Sequence, residues 1–376
     1  MDTKNHNNIN QYLSLKDVKS ILSNYGYSNS VILNYCLNNA NNKMLGFMGD
    51  YWRLKVTVST GHDQILLSFF IKAISRSNAA KADMVREWNV FEKELIFYTD
   101  IIRCLRVPGY LANVLCAYSR VNLNFTDMKP WCPRLVAHID EYQDLRIDGG
   151  YKIENPWYRQ CMIAALESLK LFSKYKDMKH DLCRIATRWE EVWSSVLNIN
   201  DSTRFRKVVC HRDLWNNNLL FHYDAGEPDD CVMVDFQANK YQTPASDVML
   251  LLYCNLDPKF REQNMNLFLH YYYDELESLL NNNGVNIKDI LCESNFLESA
   301  EEQRQWGAVV CGGLIQLFWV DDDKTTDIFS DSGAFHEILV TNKTSFVNKM
   351  MNDDPNYRAH VLEILEEIAE RYCLNK

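Results

Sequence analysis

Two short runs constrain this chain more than any other feature: His211-Arg-Asp-Leu-Trp-Asn-Asn-Asn218 and Asp235-Phe-Gln237. Asp213 follows a short apolar piece at residues 208–210, so it stands in a loop where its side chain can face a cleft. Asn218 lies five positions on, far enough to curl round and present its amide oxygen to the same centre. Leu219-Leu-Phe221 then reads as a strand. A turn through Gly226 and Pro228 reverses it, and Cys231-Val-Met-Val234 returns to deliver Asp235 at its end. The 22-residue interval between the two aspartates suits loop, strand, turn and strand, so both carboxylates can reach one place. One carboxylate can orient a hydroxyl and take its proton. The other, with an amide oxygen, offers the hard ligands that Mg²⁺ prefers. That division of labour is what phosphoryl transfer from ATP asks of a protein. His211 reads as support for the loop rather than as a base.

The flanking patterns predict how the loop is mounted. Residues 15–25 carry Leu15, Val18, Ile21 and Leu22 at helical spacing. Residues 51–58 alternate as a strand, and residues 64–74 read as a second, more buried one. The turn at 59–63 makes them an antiparallel hairpin. A long helix is expected over 79–102, with Trp88, Phe91, Leu95 and Tyr98 on one stripe, then strand-like pieces at 111–117 and 135–139. Gly149-Gly150 marks a break. Beyond it the chain reads mainly helical, at 156–174, 179–196, 259–280, 300–318 and 357–372. The β-like pieces at 208–210, 219–222 and 232–235 are expected to pair as a small sheet. The fold class is therefore α+β and bilobal. A mobile polar tail is expected over 1–14, a small β-rich N-lobe binding ATP over 15–148, and a helical C-lobe with the catalytic loop and substrate pocket over 149–376, with the site between the lobes.

Charge and composition narrow the functions. A net charge of −10 and a pI near 5.4 exclude a basic nucleic-acid surface. The 12 cysteines are scattered without a Cys-x-x-Cys and read as free thiols of a reducing compartment. The N-terminus has no apolar signal-peptide core, and no apolar run is long enough for a bilayer. A cytoplasmic protein without membrane, nucleic-acid or obligate protein partners is expected.

The motif pair resembles the His-Gly-Asp-Leu-Trp-x-Asn-Asn and Asp-Phe-Gln runs of the ecdysteroid kinase-like family. These insect proteins lie within the choline and aminoglycoside kinase group of the protein-kinase-like fold. Phe69-Phe-Ile-Lys72 is similar to the strand lysine that contacts nucleotide phosphates, and Phe91-Glu-Lys-Glu-Leu-Ile-Phe-Tyr98 to the helix whose glutamate pairs with it. Pro244-Ala-Ser-Asp247 is similar to the segment behind the catalytic loop. The likeness runs over roughly residues 15–374.

The resemblance implies a base at Asp213, Mg²⁺ ligands at Asn218 and Asp235, a phosphate-binding Lys72, and an Asp247 that buttresses the loop. Glu92 and Glu94 both lie near the place of the lysine's partner, and helical geometry favours Glu94. Gly46 and Gly49 stand for the loop that covers the phosphates, although Phe47 and Met48 between them are bulky. Asp144 and Leu145 are the nearest counterparts of the hinge that receives adenine. Arg212 replaces the glycine usual after the motif histidine, and the His-Ala pair after the first large-lobe helix is replaced near Ser173-Lys174. The implied substrate is a hydroxyl of a small organic molecule, with ecdysteroids first. A detoxifying kinase for plant or xenobiotic hydroxyls, or an inactive pseudokinase that only binds, are the other readings.

Overall fold

The computed structural model describes residues 12–40, 47–61, 63–101, 150–199 and 204–375. Gly46, Asp144 and Leu145, the strand-like pieces at 111–117 and 135–139, and the lobe boundary at 148/149 lie outside the described residues.

The N-terminal part is a helix against a three-stranded sheet. Helix α1 (Leu15–Asn24) starts on a capping box between Ser14 and Asp17, and its Val18, Ile21 and Leu22 are buried. Strands β1 (Val31–Asn39), β2 (Asp50–Ser59) and β3 (Gln64–Ala73) pair antiparallel in that order. The β2–β3 hairpin follows the alternation of its sequence, and β1 is a third strand that pattern did not reveal. Leu54, Val56 and Val58 of β2 meet Leu37, Phe69 and α1 in a small core. On β3, Leu66 and Phe70 face outward, so this strand is half-exposed rather than the more buried of the pair. Tyr12, assigned to the tail, donates from its hydroxyl to Asp50 (2.8 Å).

The single helix expected over 79–102 is two. Helix α2 (Ala79–Glu87) ends at Trp88, and α3 (Val90–Ile96) begins after Asn89, which adopts left-handed backbone (φ 51°). Asparagine tolerates that conformation better than most residues, so the break is written into residue 89. A π-helical turn, Phe97–Ile101, extends α3.

The C-terminal part is helical: α4 (Pro156–Phe172), α5 (Lys179–Ile199), α6 (Pro244–Asn255), α7 (Pro258–Asn282), α8 (Glu293–Phe318), α9 (Asp322–Ser330), α10 (Ser332–His336), α11 (Lys343–Asp353) and α12 (Pro355–Ile368). Proline opens α4, α6, α7 and α12, where its missing N–H costs nothing, and Asn155, Asp257 and Asp354 cap three of those starts. Helix α8 runs through the core, and its glycines let neighbours approach closely. A Cβ on Gly307 would stand 3.0 Å from Met249 Cβ of α6, and one on Gly312 would stand 2.9 Å from Ile368 Cδ1 of α12. The four short strands here form two separate antiparallel pairs rather than one small sheet. Strand β4 (Val208–Cys210) pairs with β7 (Lys240–Gln242), and β5 (Leu219–Asp224) pairs with β6 (Glu227–Met233). The architecture is thus a small β-sheet part and a larger helical part, the bilobal α+β arrangement expected. No helix among the described residues is long and apolar enough to cross a membrane.

Candidate active site

Strand β4 ends at Cys210, and the loop that follows is held from behind by α6. Both carboxylate oxygens of Asp247 accept backbone N–H groups, from His211 (2.6 Å) and Arg212 (2.8 Å). His211 is buried and bonds on both sides of its ring. Nε2 faces the Val234 carbonyl (2.8 Å), and Nδ1 accepts from the Asp213 N–H (3.2 Å). Those partners require Nε2 to carry the proton, and burial pushes the His211 pKa down. It is a neutral strut between the Asp213 loop and the end of β6.

Arg212 is held in left-handed backbone (φ 63°). A glycine adopts that conformation freely, whereas a residue with a Cβ pays roughly 1 kcal/mol. The Arg212 side chain is buried, with its guanidinium over the rings of Tyr151 (5.2 Å) and Trp306 (5.1 Å). Those contacts offset the backbone cost.

Asp213 comes next, at the inner wall of a cleft. Burial, then the nearby charge of Asp235, push its carboxyl up to about 7, against opposing hydrogen bonds from Gln237 and Asn218. A carboxylate with that proton affinity is matched to taking a proton near neutral pH. Asn218 ends a short 3₁₀ turn, and its amide nitrogen donates to the Asp213 carbonyl (2.8 Å), which orients the side chain. Asp235 follows β6 with φ 66°, a turn that swings its carboxylate toward β3.

On the N-lobe side, Lys72 donates to Glu94 (2.7 Å), Asp235 (2.6 Å) and Gln237 (3.1 Å). Burial opposes the Lys72 charge, but Asp235 and Glu94 outweigh it and hold its pKa well above the usual range. Between the two glutamates the geometry decides for Glu94, since Glu92 is exposed. Gly49 packs against the lysine stem: a Cβ there would lie 3.2 Å from Lys72 Cγ. Phe236, between Asp235 and Gln237, stacks on Phe97 at 3.8 Å and lies 4.4 Å from the His211 ring, so one side chain ties α3 to both motifs.

The described site residues converge, then: Asp213, Asn218, Asp235, Lys72 and Glu94 around one centre, with His211 and Asp247 behind the loop and Gly49 beside the lysine. Three further residues belong to this arrangement. Gln237 links the halves, accepting from Lys72 and reaching Asp213 Oδ2 at 3.5 Å. Its place in the Asp-Phe-Gln run was the available signal. Lys81 of α2 is buried and donates to the Gly49 carbonyl (3.2 Å) and to Asp50 (2.9 Å), fixing the end of the glycine loop. Nothing in the sequence marked it. Trp215, inside the motif, forms part of the pocket wall.

That pocket is a cavity of about 120 Å³ that opens to solvent. Met84, Trp88, Trp157, Trp215, Leu317 and Phe329 give it an apolar lining, and its polar end is Asp213, Asn218, Asp235 and Gln237. No group of three or more His, Cys, Asp or Glu converges among the described residues. A cation here would draw on the carboxylate of Asp235 and the amide oxygen of Asn218. That hard oxygen set suits Mg²⁺, which completes its shell with water and phosphate oxygens.

Residues 140–285 match the ecdysteroid kinase-like family model. This is the family that the motifs resemble, and the matched span contains both of them. It points to a small-molecule kinase of the kinase-like superfamily, and so to ATP use in general terms. No curated protein and no solved structure gives a significant match.

Proposed function

We propose that this chain is an ATP- and Mg²⁺-dependent kinase that phosphorylates a hydroxyl of a small, largely apolar organic molecule, with ecdysteroids the first substrates to test. The observation that carries the reading is Asp213. Its carboxyl, raised to about 7, lines a mainly apolar pocket and connects through Gln237 to the Lys72–Glu94–Asp235 cluster. In this reading ATP supplies the phosphoryl group and Mg²⁺ balances charge on its oxygens. Asp213 orients the acceptor hydroxyl and takes its proton. Asp235 and Asn218 hold the cation, Lys72 meets the phosphates, and Glu94 keeps the lysine extended toward them. The apolar walls bind the acceptor's body and exclude water. We place the enzyme in the cytoplasm, where ATP is at hand and its free thiols stay reduced.

The aromatic lining also suits a phenolic acceptor, which would make this a detoxifying kinase. ATP turnover with Mg²⁺ against hydroxysteroids and phenolic glucosides tests both, with Asp213→Asn as control. The variant is expected to lose about 10²–10⁴-fold in turnover while keeping ATP binding. Equal turnover by variant and wild type would refute the catalytic assignment. Transfer to phenols but never to steroids selects the detoxifying reading. Thermal stabilisation by ATP without turnover on any acceptor marks a pseudokinase.

A further inference from the structure

Phe47 is the bulky residue of the glycine loop, and its ring points into the acceptor pocket. It stacks on Trp215 (centroids 5.3 Å apart, planes at 10°) and on Phe329 (4.8 Å, 26°), while Trp215 stacks in turn on Phe318 (4.4 Å, 2°). Trp215 and Phe329 are well anchored, buried to 7% and 2% exposure. Phe47 is only partly buried and lies just before β2. Where it stands, Phe47 covers ring surface of both Trp215 and Phe329. If Phe47 withdraws, that surface is freed for another ring to stack on. Asp213, two residues before Trp215, lines the same pocket.

We propose that the ring surface Phe47 covers on Trp215 and Phe329 is the acceptor's ring seat, and that Phe47 occupies it while no acceptor is bound. The inference rests on the kinase reading only in calling the occupant an acceptor. The occupant is a flat, largely apolar ring that carries a hydroxyl. An aromatic ring would stack there through its quadrupole, and the flat face of a fused alicyclic system through dispersion. A hydroxyl on the ring edge then faces Asp213.

The test is calorimetric titration with 2-naphthol and with ecdysone in the absence of ATP, comparing wild type, Phe47→Ala and Phe47→Leu. Phe47→Ala is expected to bind at least one probe about tenfold more tightly than wild type, because two ring contacts no longer have to be broken. Phe47→Leu is expected to gain less. Weaker or unchanged binding by a folded variant overturns the proposal, since Phe47 would then be a wall of the site rather than its place-holder. Absence of binding of both probes to Phe47→Ala also overturns it. Should the alanine variant fail to fold, the sign of the leucine variant's change decides. The probe that gains identifies the ring as aromatic or alicyclic. Because no turnover is measured, failure of the kinase reading would leave this comparison standing.

Discussion

At the scale of single residues, the motif carried more of its own geometry than its chemistry required. Asp247 lies 34 positions beyond Asp213, yet both its oxygens accept amides of the loop that carries Asp213. Replacing it by alanine strands two buried N–H groups, a loss of roughly 2–4 kcal/mol by the usual cost of unsatisfied donors. Urea unfolding should show that loss, and turnover should fall with it because the Asp213 loop loses its backing. A change below about 0.5 kcal/mol would mean that the loop is held some other way. His211 read as loop support from its place at the head of the motif, whereas its Val234 partner, 23 residues on, is supplied only by the fold. The roles of Phe47 and Lys81 were not legible. Phe47 read as a flaw in a glycine loop because only the fold brings Trp215 and Phe329 against its ring. Lys81 carried no signal, because only the fold brings the Gly49 carbonyl within its reach.

At the scale of elements, alternation and helical spacing located β2, β3, α1, α4, α5, α7 and α12 to within a few residues, because those segments have one buried face, whereas α8 starts well before the expected residue 300 and α6, α9, α10 and α11 were not expected. They failed where that face is mixed. Strand β1 (Val31–Asn39) carries Asn34, Asn38 and Asn39 among its apolar residues, and several of its positions are exposed. The stripe read across 79–102 hid the left-handed Asn89. The pairing of β4 with β7 joins segments separated by 29 residues, too far apart for a turn signal. The close approach of α8 to α6 is equally invisible in sequence. Gly307 faces Met249 with its Cβ, carbonyl carbon and oxygen at 3.0–3.3 Å from a would-be methyl, and two of those three are backbone atoms that yield poorly. Gly307→Ala is expected to destabilise by about 1–3 kcal/mol. Since α6 also carries Asp247, kcat should fall by more than acceptor affinity does. Chemical denaturation and steady-state kinetics check both, and an unchanged variant would show that the helices can part at no cost.

At the scale of the molecule, the lobes meet through particular contacts. Asn78, which caps α2, is fully buried and donates to the Phe329 carbonyl (3.0 Å), while the Ala80 N–H donates to Ser332 (3.2 Å). The same helix holds Gly49 through Lys81, so the glycine loop and the α9–α10 region are joined through α2. Deep in the helical lobe, Lys343 is fully buried beside the Cys161 thiol, and burial pulls its pKa below the usual 10.5. The unfolded chain therefore binds the extra proton between the folded pKa and 10.5, and stability rises with pH across that window. Lys343→Met lacks this slope. Its advantage over wild type, about 1–3 kcal/mol at low pH, should shrink as pH approaches 10.5, and unfolding curves across pH decide it. Parallel curves would mean that Lys343 finds a way to stay charged. By itself, the sequence determined which groups could do chemistry here and the order in which they are presented. Carboxylate, amide and lysine are properties of residue type, and a loop between two strands is set by local pattern. Tertiary structure alone decided what those groups face. Whether Lys72 pairs with Glu94, what raises Asp213 to about 7 and which rings stack on Phe47 depend on atoms far apart in the chain, because burial and Coulomb interactions act through space.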